Sequence, residues 1–207
     1  MKGKPNRFRA LALALSALLL SGAAVGGTAA WLTDRTPVLK NSFTVGDVAI
    51  TLTESPIQYA ADGEVSYGAP AEGVQNAYKL IPGTVYRKDP VVSVDPSSED
   101  CYLFVMFEEK ENAAAYIGYT SALTEANGWT RGAGTNGVPA NVWYRQVMKT
   151  DTLRSWELLA ENTITILPDA VNRDTMAAAA KGQLVYTAYA VQLANLTVSE
   201  AWEKIAP

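Results

Sequence analysis

A chain of 207 residues has room for one domain with a sizeable core, and its 48% apolar and 18% charged residues are the balance of an ordinary globular protein rather than a disordered one. It contains no histidine, which removes Ser-His-Asp and Cys-His catalysis and every histidine-based zinc site, and its single cysteine, Cys101, leaves no intrachain disulfide. The net charge of −4 conceals an asymmetry: the first thirty residues carry Lys2, Lys4, Arg7 and Arg9 and no acid, so residues 31–207 hold 13 basic against 21 acidic residues. An acidic chain without a basic patch repels phosphate backbones, so no nucleic-acid partner is expected, and no cofactor is expected either.

Residues 1–30 read as a signal peptide. The four basic groups precede an apolar run from Ala10 to Leu20, and small residues close the segment at Gly26-Gly27-Thr28-Ala29-Ala30. Cleavage is placed between Ala30 and Trp31. The rival reading is an uncleaved anchor from Ala10 to Leu32, and contact with a membrane is expected only through such an uncleaved signal. Residues 31–40 then form an N-terminal segment ahead of a domain spanning 41–207.

Phe43, Val45, Val48, Ile50 and Leu52 predict one half-buried strand, with a bulge at Gly46 and Asp47 keeping both halves turned to the core. Ser55 to Gln75 predicts an exposed connection with a short hairpin around Asp62-Gly63. Pro82-Gly83 sets a turn before a short strand from Thr84 to Tyr86. Asp89-Pro90 punctuates again ahead of a strand from Val91 to Val94, which a turn at Asp95 to Ser98 ends. Tyr102 to Phe107 is apolar at every position, the mark of a central strand covered on both faces. Cys101 at its start reads as a buried small hydrophobe.

Ala113 to Asn127 predicts a short helix and Gly128 to Pro139 a flexible loop. Val142 to Val147 is a strand in which Trp143 and Tyr144 point to opposite faces. Thr163 to Leu167 alternates until Pro168 stops it. Asn172 is placed to cap a helix through Met176 and the four alanines to Gly182. In the strand from Leu184 to Leu193, Leu184, Tyr186, Ala188, Ala190 and Gln192 share one face, and Val185, Thr187, Tyr189 and Val191 the other. Thr197 to Glu200 fits a capping box for a last helix carrying Ala201, Trp202 and Ile205. Strands without a βαβ rhythm make this a mainly β chain, an antiparallel β-sandwich with short helical insertions.

Candidate chemistry is sparse. Glu99-Asp100 and Glu108-Glu109 are adjacent carboxylates without a partner in view, and they read as solvated edges. Asp95, Ser97, Glu99 and Asp100 offer oxygen ligands to calcium, but without the glycine turn and terminal glutamate of an EF-hand loop. The glycine-rich GAGTNG from Gly132 to Gly137 has no P-loop lysine.

Several stretches together resemble the TasA/camelysin family of bacterial exported proteins. They are the seam Gly26-Gly27-Thr28-Ala29-Ala30-Trp31-Leu32-Thr33-Asp34, the step Asn41-Ser42-Phe43-Thr44-Val45-Gly46, and the strand Val48-Ala49-Ile50-Thr51-Leu52-Thr53-Glu54. Leu80-Ile81-Pro82-Gly83 with Lys88-Asp89-Pro90, Ser98-Glu99-Asp100-Cys101-Tyr102 and Thr187-Ala188-Tyr189-Ala190-Val191-Gln192 add to them. The resemblance implies processing by a SipW-type signal peptidase, a jelly-roll order for the β-sandwich, and a secreted, non-enzymatic subunit of the biofilm matrix or cell surface. It further implies that Trp31 to Lys40, with Trp31, Leu32, Val38 and Leu39 as its apolar side chains, pairs as a donor strand with the next copy in a filament. Expected partners are then the signal peptidase, other copies of the chain and accessory matrix proteins. The alternatives are a monomeric cell-surface adhesin or binding module, and a camelysin-like metallopeptidase, for which the chain has no HExxH and offers only carboxylates and one thiol.

Overall fold

The computed structural model describes residues 42–45, 47–134, 136–193 and 195–206. The signal peptide, the cleavage point between Ala30 and Trp31, and the donor segment with Trp31, Leu32, Val38 and Leu39 lie outside the described residues.

The described chain is mainly β. Its strands are β1 (Ser42–Val45), β2 (Ile50–Glu54), β3 (Ile57–Tyr59), β4 (Val65–Tyr67), β5 (Ala71–Glu72), β6 (Val85–Arg87), β7 (Val91–Val94), β8 (Cys101–Lys110), β9 (Ile117–Gly118), β10 (Thr130–Arg131), β11 (Val142–Val147), β12 (Ser155–Glu157), β13 (Thr163–Ile166) and β14 (Gln183–Gln192). Two short helices, α1 (Met176–Ala179) and α2 (Val198–Glu203), and three 3-10 turns complete it. One sheet has the order β1-β14-β8-β11-β10 and a second the order β12-β7-β2-β5; β6-β13-β9 and the hairpin β3-β4 form two smaller ones. Every pair is antiparallel except β1 with β14, where Ser42 stands opposite Ala188 and Val45 opposite Val191.

Period-two patterning explains which faces are buried. In β2 it turns Ile50 and Leu52 inward, where they meet Val92 and Val94 of β7 and the inward residues Leu103, Val105, Ala188 and Ala190 of β8 and β14. β8 and β14 are central, so their other face needs cover too. Tyr102, Phe104, Tyr189 and Val191 there form a second apolar cluster under α2, with Trp202 5.3 Å from the Phe104 ring and 5.6 Å from the Tyr189 ring. Both faces of β14 therefore carry the residues that alternation assigns them. Trp143 packs on the first core and Tyr144 on the second.

Local signals hold where turn chemistry decides. Thr84 N–H donates to the Ile81 carbonyl at 3.0 Å with Gly83 at φ +78°, the left-handed position for which Pro82-Gly83 is suited. β3 and β4 form the hairpin expected around Asp62-Gly63. At α2 the Thr197 hydroxyl oxygen accepts from Glu200 N–H at 3.3 Å, and Glu200 Oε2 accepts from Thr197 N–H at 2.8 Å, completing the capping box.

Four expectations are corrected. Phe43 to Leu52 is not one bulged strand: β1 belongs to the five-stranded sheet and β2 to the four-stranded one, and the expected bulge residue Gly46 lies outside the described residues. The cause is tertiary, since β14 offers a free edge to β1 while Ala49 is drawn to the other layer, its carbonyl accepting from Asp95 N–H and its N–H donating to Ser98 Oγ. The helix expected from Ala113 to Asn127 is replaced by 3-10 turns at Ala113–Ala115 and Glu125–Asn127 around β9, because pairing with Thr165 and Ile166 of β13 outweighs alanine propensity. The loop after Gly128 is held by β10, where Thr130 pairs with Tyr144, and a Cβ on Gly132 would fall 2.1 Å from the Pro139 carbonyl oxygen. The helix after Asn172 shrinks to one turn, with Asn172 Oδ1 accepting from Asp174 N–H and Thr175 N–H upstream of it.

Candidate functional site

The alternation that turns Ile50 and Leu52 inward does the same to Glu54, which is 1% exposed. Thr53 of β2 pairs with Val91 of β7, and continuing that antiparallel register beyond β2 sets Ser55 opposite Asp89. The short passage between β6 and β7 thus delivers Lys88 and Asp89 to the point where the chain leaves β2. Asn76 arrives there from the connection after β5.

These residues form a buried polar cluster. Lys88 Nζ lies 3.2 Å from Glu54 Oε2 and 3.3 Å from Oε1, and Lys88 is 3% exposed. Asn76, 4% exposed, donates from Nδ2 to Glu54 Oε1 at 2.5 Å and to the Ser55 carbonyl at 2.9 Å, while its Oδ1 accepts from Ile57 N–H at 2.7 Å. The Tyr78 hydroxyl stands 3.1 Å from both Glu54 Oε1 and the Arg87 carbonyl oxygen, and donates to one at a time. Asp89 accepts from Ser55 N–H and hydroxyl and pairs with Arg87 at 2.6 Å. Burial works to raise the Asp89 carboxyl, but the Ser55 hydrogen bonds and the Arg87 charge outweigh it and hold the group below the ordinary carboxylate value.

Tyrosines wall the cluster. The rings of Tyr78 and Tyr86 are 5.4 Å apart, Lys88 Nζ sits 5.9 Å from the Tyr78 centroid, and Lys79 Nζ sits 4.4 Å from that of Tyr59. Burial raises the phenols of Tyr59, Tyr78 and Tyr86, with the Glu54 charge adding to the effect at Tyr78, so all three stay protonated.

Elsewhere the Arg145 guanidinium lies 4.3 Å from the Trp156 ring centroid and 5.1 Å from that of Trp129, and desolvation lowers its pKa. It borders an open groove of about 400 Å³ that Tyr102, Tyr144 and Gln146 also line. β1 forms one edge of the five-stranded sheet.

The carboxylates that the sequence offers for chemistry go to other work. Asp95 Oδ1 accepts from the backbone and hydroxyl of Ser97 within one turn, Glu99 pairs with Lys149 Nζ at 2.6 Å, and Asp100 accepts from Lys149 N–H. Glu108 pairs with Lys110 and Glu109 accepts from the Tyr119 hydroxyl. Among the described residues, no three potential metal-ligating side chains gather, and no helix is long and apolar enough to cross a membrane.

Glu54, Lys88 and Asp89 belong to the stretches that carry the family resemblance, and the fold brings them together. Nothing in the sequence marks Asn76 and Tyr78 as their polar partners. The one available signal is the inward register of Glu54, which demands a buried counter-charge and donors. No family model matches the chain, and neither a curated protein nor a solved structure does.

Proposed function

We propose that this chain is an exported structural subunit of an extracellular matrix or cell surface, belonging with the TasA/camelysin proteins it resembles, and that it polymerises by donating residues 31–40 as a strand to the next copy. The observation that supports this reading is the position of β1. It comes just after the donor segment in the chain and, among the described residues, lies at a sheet edge, paired with β14 on one side. A segment attached to an edge strand can extend pairing into a neighbouring molecule without crossing a packed core. Donation of this kind is head-to-tail and does not close, so it propagates into a filament.

In this reading a SipW-type peptidase cuts after Ala30, the sheets that share the main core have a jelly-roll order, and the role is structural. The absence of histidine from the whole sequence supports a non-enzymatic part. Electron microscopy of protein beginning at Trp31 and of protein beginning at Asn41 tests the proposal. Filaments from the first and monomers from the second are expected. Filaments of unchanged morphology from the shorter chain would overturn strand donation, and monomers from both would favour a surface binding module.

A further inference from the structure

We infer that Lys88 and Asn76 become joined through their side chains by an amide bond, formed inside the folded chain with Glu54 as the catalytic acid and base. The inference is independent of filament assembly.

Three requirements of that reaction are met by separate contacts. The nucleophile and the amide are gathered on one group, because Lys88 Nζ and Asn76 Nδ2 contact the same carboxylate oxygen, Glu54 Oε1, at 3.3 and 2.5 Å. The electrophile is polarised, because Ile57 N–H donates to Asn76 Oδ1 at 2.7 Å, where negative charge develops as an amine adds to the carbonyl. The leaving group faces a proton source, since Asn76 Nδ2 is the atom held against Glu54. The Ser55 carbonyl, accepting from the same Nδ2 at 2.9 Å, helps fix the amide plane. Glu54, Asn76 and Lys88 are all buried, so water neither competes as nucleophile nor loosens the geometry.

The step balances without any other reactant. A proton passes from the Lys88 ammonium to the Glu54 carboxylate, leaving an amine with a free electron pair beside a carboxylic acid. Removing two charges from a poor dielectric lowers the cost of that exchange. The amine adds to Asn76 Cγ, and the Nζ–Cγ bond forms. The Cγ–Nδ2 bond then breaks as Glu54 delivers a proton to Nδ2, and ammonia departs. Delivering that proton returns Glu54 to the carboxylate, and the second proton lost by Nζ leaves with ammonia as ammonium. Nothing is oxidised or reduced. The product ties the connection after β5 to the passage between β6 and β7, a covalent brace in a chain that can form no internal disulfide.

Mass spectrometry of the full chain tests this, with the N-terminus established by peptide mapping. The expected result is a protein lighter than its sequence by one ammonia, about 17 Da, and a proteolytic map with one branched peptide joining Asn76 to Lys88. A folded wild-type protein at full sequence mass overturns the proposal. Glu54→Gln keeps the side-chain shape. If it folds by near-ultraviolet circular dichroism and retains full mass, the role of Glu54 is supported; if it still loses ammonia, that role is overturned. Lys88→Arg is expected at full mass, and an ammonia loss that persists there assigns the missing mass to another site and overturns the Lys88 crosslink.

Discussion

Asp89 grips Ser55 twice, accepting from its backbone N–H at 2.8 Å and from its hydroxyl at 2.7 Å. These bonds and Arg87 hold the Asp89 carboxyl below its ordinary value despite burial. A folded pKa depressed in this way contributes stability that is fully present above the unfolded value, about 3.9, and is lost as pH falls through the folded value. Urea unfolding as a function of pH should therefore show stability dropping from about pH 4 downward, with a shallower drop in Asp89→Asn. An identical acid profile for the two proteins would remove Asp89 from this role.

The Lys88–Glu54 pair is almost dry. Lys88→Met removes the ammonium 3.2 Å from the buried Glu54 carboxylate, and the loss expected from breaking that pair, apart from any loss of the crosslink, is about 3–5 kcal/mol in chemical denaturation. Adding Glu54→Leu to Lys88→Met should recover part of the loss, because the desolvated charge is then gone.

Trp202 is the anchor of α2 on the outer face of the five-stranded sheet, packed against Phe104 and Tyr189. Trp202→Ala should cost about 3–5 kcal/mol, the range for removing a buried large aromatic. Thr197→Ala, which breaks the capping box and leaves the packing alone, should cost only about 1 kcal/mol. Thermal unfolding of the two variants separates packing from capping.

Cys101 is fully buried at the start of β8, and burial pushes its thiol up to about 11. The native protein should resist a thiol-labelling reagent at pH 8, whereas protein unfolded in guanidinium should react at one site per chain. Rapid labelling of the native form would show that β8 opens locally.

Much of the strand inventory is legible in the residues. Alternation in β2 and β14 places their side chains on the faces they occupy, and the apolar run of β8 marks a strand covered twice. Pro82-Gly83 and Thr197 to Glu200 are equally readable, because a turn and a cap are made by residues three or four apart. The segment from Ala113 to Asn127 misleads, because alanine content reports local helix propensity while β13 offers a pairing that propensity does not register. Glu54 is readable only as the end of a strand. Its partners lie 22 and 34 residues further along, and nothing local announces them.

By itself the sequence determined that this is a mainly β chain, without histidine chemistry and without an internal disulfide, because composition and two-residue periodicity are properties of the chain alone. Tertiary structure alone decided that Phe43 and Ile50 belong to different sheets and that β1 runs parallel at an edge. It alone brought Glu54, Asn76 and Lys88 onto one carboxylate. Pairing between distant strands and the burial of charge depend on which surfaces meet, and a pattern read along the chain does not carry that information.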